Sequence, residues 1–199
     1  MTGETMNTSR IEAFSDGVIA IIITIMVLEL KVPHGADLAA LIPLIPKFMG
    51  YVLSFLYVGI YWNNHHHMLH ATKQVTGSIL WANLNLLFWL SMFPAVTDWA
   101  GENPTASVPT AVYGVVLMLA AVSYWILQQL IIAMQGPQSL LRHAVGRDWK
   151  GKVSPVLYAL GILVAFRSTW MSQSLYLLVA LLWLIPDRRI ETTLRKNQG

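Results

Sequence analysis

The stretch that decides the fold is Arg10 to Leu30, "RIEAFSDGVIAIIITIMVLEL". It opens with Arg10, Glu12, Ser15 and Asp16 and then runs without a charge from Gly17 to Leu28. A soluble amphipathic helix would put polar residues on one stripe all the way along. Here charge is confined to the ends, Arg10 to Asp16 on one side and Glu29 on the other, which is the pattern of a helix entering a hydrocarbon layer with Asp16 at the threshold.

The rest of the chain agrees. Its 199 residues are 55% hydrophobic and 12% charged, with a mean hydropathy of +0.54, well outside the range of soluble domains. A helix needs about 20 apolar residues to cross the hydrocarbon core, and lipid tolerates only helices and closed barrels. Barrel strands alternate in polarity and these runs do not, so the expectation is an all-α integral membrane protein. The absence of cysteine removes disulfides, thiolate metal sites and cysteine nucleophiles. A net charge of +3 fits basic cytoplasmic loops better than nucleic-acid binding.

Six hydrophobic segments can be read at roughly 10–31, 44–68, 76–98, 108–134, 153–170 and 173–186, the last with a polar extension to about 195. The polar stretch "FRSTWMSQSLY" is expected to turn between the fifth and sixth as an antiparallel pair. No internal repeat is evident, so residues 1–199 form a single six-helix transmembrane domain. With the N-terminus inside, ten of the thirteen basic residues fall in cytoplasmic segments, and only Lys31, Lys47 and Arg167 lie elsewhere. The loop bearing Asp98 and Glu102 has no lysine or arginine, as a translocated loop should. Both termini are therefore expected in the cytoplasm of a multi-pass cell-membrane protein. A cleavable signal peptide is the rival for the first segment, but Asp16 interrupts it and no small-x-small site follows Leu30.

Within the first segment Ile21, Thr24, Ile25 and Leu28 share one helical face. Thr24 is its only polar member, and its hydroxyl can either bond the carbonyl one turn back or serve a pathway. Asp16 reads either as an acid at the positive end of the helix dipole or as the partner of a buried polar group.

Arg10, Phe14-Ser15-Asp16-Gly17 and an apolar run with Thr24 ten residues after Phe14 resemble the R-x-x-x-F-S-D signature of the transmembrane protein 175 family, potassium channels without a P-loop filter. The segment "WNNHHHML" resembles that family's Trp-x-x-His helix through Trp62 and His65, and "NLNLLFWLSMFP" resembles its Asn-to-Pro helix. Animal members resemble two six-helix units in one chain and prokaryotic members one; this chain has one.

The resemblance implies a pore built from the first helix of each subunit of a homo-oligomer, four subunits by similarity to one-unit members. On that mapping Ile21 is the narrowest apolar ring, Thr24 the polar ring beside it, Leu28 an outer constriction, and Ile25 a neighbour on the same face. Branched apolar rings can gate by dewetting, and a ring of hydroxyls can replace part of an ion's water. The sequence has no T-V-G-Y-G segment, so stacked loop carbonyls cannot supply selectivity, which should be modest. Arg10, Phe14, Ser15 and Asp16 would be structural, joining the first helix to Trp62, His65 and Asn83 or Asn85. The implied function is a potassium-permeable cation channel with passive conduction, whose partners are the bilayer, further copies of itself, and potassium with other monovalent cations. No cofactor, metal or nucleic acid is implied.

Other features take plainer readings. His66 and His70 have the i, i+4 spacing of two metal ligands, but no H-E-x-x-H accompanies them, and polar capping of the helix end accounts for them. The eight tryptophans read mostly as an interfacial belt, Phe55, Tyr57 and Tyr61 as packing, and Arg167 as a snorkelling arginine. A secondary transporter is the alternative function, though the segment interiors hold little that is ionisable beyond His65. No convergent set of catalytic residues suggests an enzyme.

Overall fold

A computed structural model of the chain describes residues 8–33, 35–72, 74–139, 141–142 and 149–184. The extension expected to run to 195, residues 140 and 143–148 of the basic 136–152 loop and several orienting basic residues, Lys73 and Arg188 among them, lie outside the described residues. The described elements are helical: α1 (Thr8–Leu28), α2 (Ile45–His70), α3 (Gly77–Ser91), α4 (Phe93–Glu102), α5 (Ser107–Gln135), α6 (Trp149–Ala165) and α7 (Thr169–Leu184). Counting α3 and α4 as one bent rod, the described residues make six helical rods. Four are long and apolar enough to cross a membrane: α1, the stretch Leu38–His70, α3 with α4, and α5.

The sequence reading needs correction in three places. The third segment is two helices, because Pro94 lacks the N–H that would bond back across the turn, and the rod breaks at Met92. A 3-10 turn, Leu38–Leu44, precedes α2; Asp37 caps it by accepting from the Ala40 N–H at 3.1 Å. The expected fifth and sixth segments each begin four residues too late. The turn is only Phe166–Ser168, and the polar residues read as loop lie inside α7. Ser168, just before that helix, accepts the Met171 N–H at its hydroxyl, and within it Ser174 donates to the Trp170 carbonyl at 2.8 Å. Serines satisfied one turn back are compatible with a helix, and periodicity alone does not reveal it.

One continuous core with two distinct regions holds the bundle together. The first is aromatic, between α2, α4, α5, α6 and α7, where Tyr57, Tyr113, Tyr158 and Tyr176 are buried with Phe93. The Tyr57 hydroxyl donates to the Tyr176 carbonyl at 2.6 Å, and Tyr113 shares a hydrogen bond with Ser54 at 2.9 Å, so the polar tips of these rings are satisfied. Tyr176 fits a slot made by two glycines. A Cβ on Gly114 would meet its hydroxyl at 2.0 Å, and one on Gly161 would meet its ring at 2.4 Å. The second region lies where α1 rests on α2, α3 and α4, and it positions the candidate site.

Candidate functional site

α1 is apolar nearly all round, and its packing divides it. Ile19, Ile22 and Met26 are 1%, 3% and 2% exposed, whereas Ile21 is 58% and Leu28 79% exposed. Ile25 and Thr24 share the open face, and Phe14 is open nearer the N-terminal end. The four residues Ile21, Thr24, Ile25 and Leu28 thus form a continuous strip that no part of the described subunit covers. The Thr24 hydroxyl donates to the Ile21 carbonyl at 2.8 Å, which fixes its rotamer and leaves its lone pairs facing outward.

The opposite face is tied down by a chain of hydrogen bonds through three helices. Ser15, buried on α1, donates to the Ile11 carbonyl at 2.7 Å and accepts from the Asn83 amide at 3.0 Å. The Asn83 carbonyl oxygen stands 2.7 Å from His65 Nε2. With the amide in that orientation His65 must donate, so its proton sits on Nε2 and every group passes a hydrogen bond to the next: His65 on α2, Asn83 on α3, Ser15 and the α1 backbone. All three side chains are buried, so each bond is made away from water and losing one would orphan its partner.

Nearer the surface a second tether joins α1 to α2. Trp62 Nε1 donates to Asp16 Oδ1 at 3.0 Å, and His66 Nδ1 lies 2.8 Å from Glu12 Oε1. Both pairs step by four residues in opposite chain directions, as antiparallel helices require. Asp16 therefore takes a neutral indole N–H as its partner. Arg10 is exposed and has no ion pair among the described residues. Asn85 does not reach α1; its amide donates to Ser123 on α5 at 2.8 Å. His70 stacks on His66 with ring centroids 6.2 Å apart, and no group of three or more potential metal ligands occurs among the described residues.

At the far end of α1, charges absent from the expected network come together. Lys31 Nζ is 2.6 Å from Glu102 Oε1 at the end of α4. Lys47, buried at the start of α2, pairs with Asp98 and lies 3.6 Å from Glu102. The hydrogen bond that Lys31 donates to Glu102, and then the charge of that carboxylate, hold the Lys31 ammonium above the ordinary lysine range. The i, i+4 spacing of Asp98 and Glu102 was the available clue, as the same spacing of Glu12 and Asp16 was for His66. Both clues depend on knowing which helix lies opposite.

Residues 10–94 match the family model described as the endosomal/lysosomal potassium channel TMEM175. A potassium channel of Chryseobacterium sp. (strain P1-3) is 53% identical over 192 residues, covering 96% of this chain and all of that one. The chain belongs to the TMEM175 family. A second relative, a potassium channel of Chamaesiphon minutus (strain ATCC 27169 / PCC 6605), is 31% identical over 89% of this chain and 94% of its own length. The crystal structure of a lysosomal potassium-selective channel TMEM175 homolog from Chamaesiphon minutus superposes with a TM-score of 0.80 at 28% identity, covering 90% of this chain and 97% of that one. The human endosomal/lysosomal proton channel TMEM175 is 37% identical over 98 residues, 43% of this chain but 19% of that protein. The chain is thus a multi-pass membrane protein from a family of channels, not enzymes.

Proposed function

We propose that this chain is a potassium-permeable cation channel whose pathway is lined by the open face of α1 from several subunits. The observation that carries the reading is the division of α1. One face is anchored by buried hydrogen bonds to α2 and α3, and the other leaves Ile21, Thr24, Ile25 and Leu28 exposed on the subunit surface. A single helix cannot enclose a pore, so the pathway requires an oligomer with cyclic symmetry, and four copies is the arrangement proposed. Ile21 and Leu28 form apolar constrictions that gate by dewetting, and the Thr24 hydroxyls take over part of the ion's hydration between them. The six rods span the cell membrane with both termini cytoplasmic, following the bias of basic residues. Conduction is passive and selectivity modest, since no loop filter is invoked.

The relatives named as potassium channels support this ion, and the vertebrate relatives named as proton channels define the control. Purified protein in liposomes carrying a potassium gradient should release potassium in proportion to the imposed voltage, with a slower flux for sodium. A flux that saturates, or that requires a counter-transported solute, would contradict a channel. Proton flux without potassium flux would contradict the assignment of the ion.

A further inference from the structure

The mouth of the pathway poses an electrostatic problem. Lys31 lies three residues beyond Leu28, the most open residue of the α1 strip, and its side chain is 71% exposed. In an oligomer built around α1 this lysine would recur in every subunit. A ring of ammonium groups at the entrance of a cation pathway repels the ions it should admit, over a range set by the ionic strength.

The geometry points to Glu102 as the residue that removes this obstacle: by binding Lys31 it sets the potassium conductance of the channel, although it lies 71 residues away in sequence and outside α1. The inference rests on the reading that α1 lines the pathway. The contact is direct, with Nζ and Oε1 2.6 Å apart, and it draws the lysine toward the end of α4. Glu102 is free to serve Lys31 because the second lysine of the cluster, Lys47, has its own closer partner in Asp98. That pair sits in a fixed frame. A Cβ on Gly101 would come within 3.1 Å of the Lys47 Cα, so the glycine marks a close approach of the end of α4 to α2, beside which Glu102 comes into reach. With both lysines neutralised, the acids Glu29, Asp98 and Glu102 leave one net negative charge per subunit at the mouth, held by the exposed Glu29. That sign concentrates cations.

Two variants move the conductance in opposite directions. Glu102→Gln frees the Lys31 charge and should lower single-channel potassium conductance about threefold in about 0.01 M salt, where the screening length is about 30 Å, with the deficit largely gone at about 1 M, where it is about 3 Å. Lys31→Gln leaves Lys47 and Asp98 paired, removes only an exposed side chain, and should raise conductance at low salt by a similar factor while converging with the parent at high salt. The double variant should return close to the parent at both ionic strengths, and Glu102→Asp should lie nearer the parent than Glu102→Gln. A purely structural role predicts a loss that is independent of salt and not rescued by Lys31→Gln. That result would overturn the inference, as would an unchanged low-salt conductance in Lys31→Gln, which remains measurable should Glu102→Gln fail to assemble. A parent protein that carries no potassium current overturns the pathway reading together with it, whereas a conducting parent with salt-insensitive variants overturns the role of Glu102 alone.

Discussion

The two faces of α1 are built from the same residue types and meet opposite surroundings. Ile19, Ile22 and Met26 on one side are buried against the bundle, while Ile21, Ile25 and Leu28 on the other remain exposed. Hydrophobicity cannot tell them apart, because in lipid both a buried and an exposed face are apolar. What separates them is polar anchoring. Ser15 falls four residues before Ile19, on the buried side, and there it accepts from Asn83. A single buried hydrogen-bond chain thus fixes the rotation of a helix whose remaining surface is ambiguous.

The contrast is sharpest in stability. Ile22→Ala should cost about 2–5 kcal/mol through loss of buried contacts, whereas Ile25→Ala should change the unfolding of the isolated subunit by no more than about 0.5 kcal/mol. Reversible unfolding in mixed micelles measures both, and equal costs would erase the distinction between the faces. Next in size is the anchor itself. Asn83→Leu leaves Ser15 without its donor and His65 without its acceptor and should cost about 1–3 kcal/mol. Little or no change in stability would show that the rotation of α1 is set by apolar packing alone.

A smaller effect is expected at the surface tether. In Asp16→Asn the amide oxygen can still accept from Trp62 Nε1, and the fold should lose no more than about 1 kcal/mol, comparable with Trp62→Phe, which deletes the donor. Had Arg10 been the partner of Asp16, removing the acid would have stranded a buried charge at a cost of about 3–5 kcal/mol. An Asp16→Asn protein that fails to assemble would bring that explanation back. The smallest structural effect is expected at Thr24→Val. It removes one exposed hydroxyl, should leave assembly intact, and should lower the potassium-to-sodium permeability ratio. A ratio unchanged from the parent would free Thr24 from any part in selectivity.

Much of this architecture is legible in the sequence. The apolar runs mark the helices, and Ser15 and Asp16 of the signature, with Trp62, His65 and one of the two asparagines, are among the residues that meet at α1. The illegible parts share a physical cause. Whether Asn83 or Asn85 faces α1 depends on the rotation of α3, and two asparagines two residues apart point about 200° apart on a helix. The start of α7 was hidden because serines that bond carbonyls one turn back look like loop residues. The partners of Lys31 and Lys47 were hidden because they come from α4, which pairing along one helix does not reach. Arg10, the basic residue nearest Asp16 in sequence, is exposed, and an indole N–H meets the acid instead.

The central claim is that the open face of α1 lines the ion pathway, and Ile21→Asn tests it most directly. An amide at the narrowest apolar level offers water donors and acceptors where the ring offered none, so it should hydrate the constriction. Potassium flux per correctly assembled oligomer, measured in liposomes, should therefore rise above that of the parent, with weaker discrimination against sodium. Well-assembled Ile21→Asn protein with unchanged or lower flux would contradict the account and move the constriction away from Ile21, with Leu28 the next residue to examine.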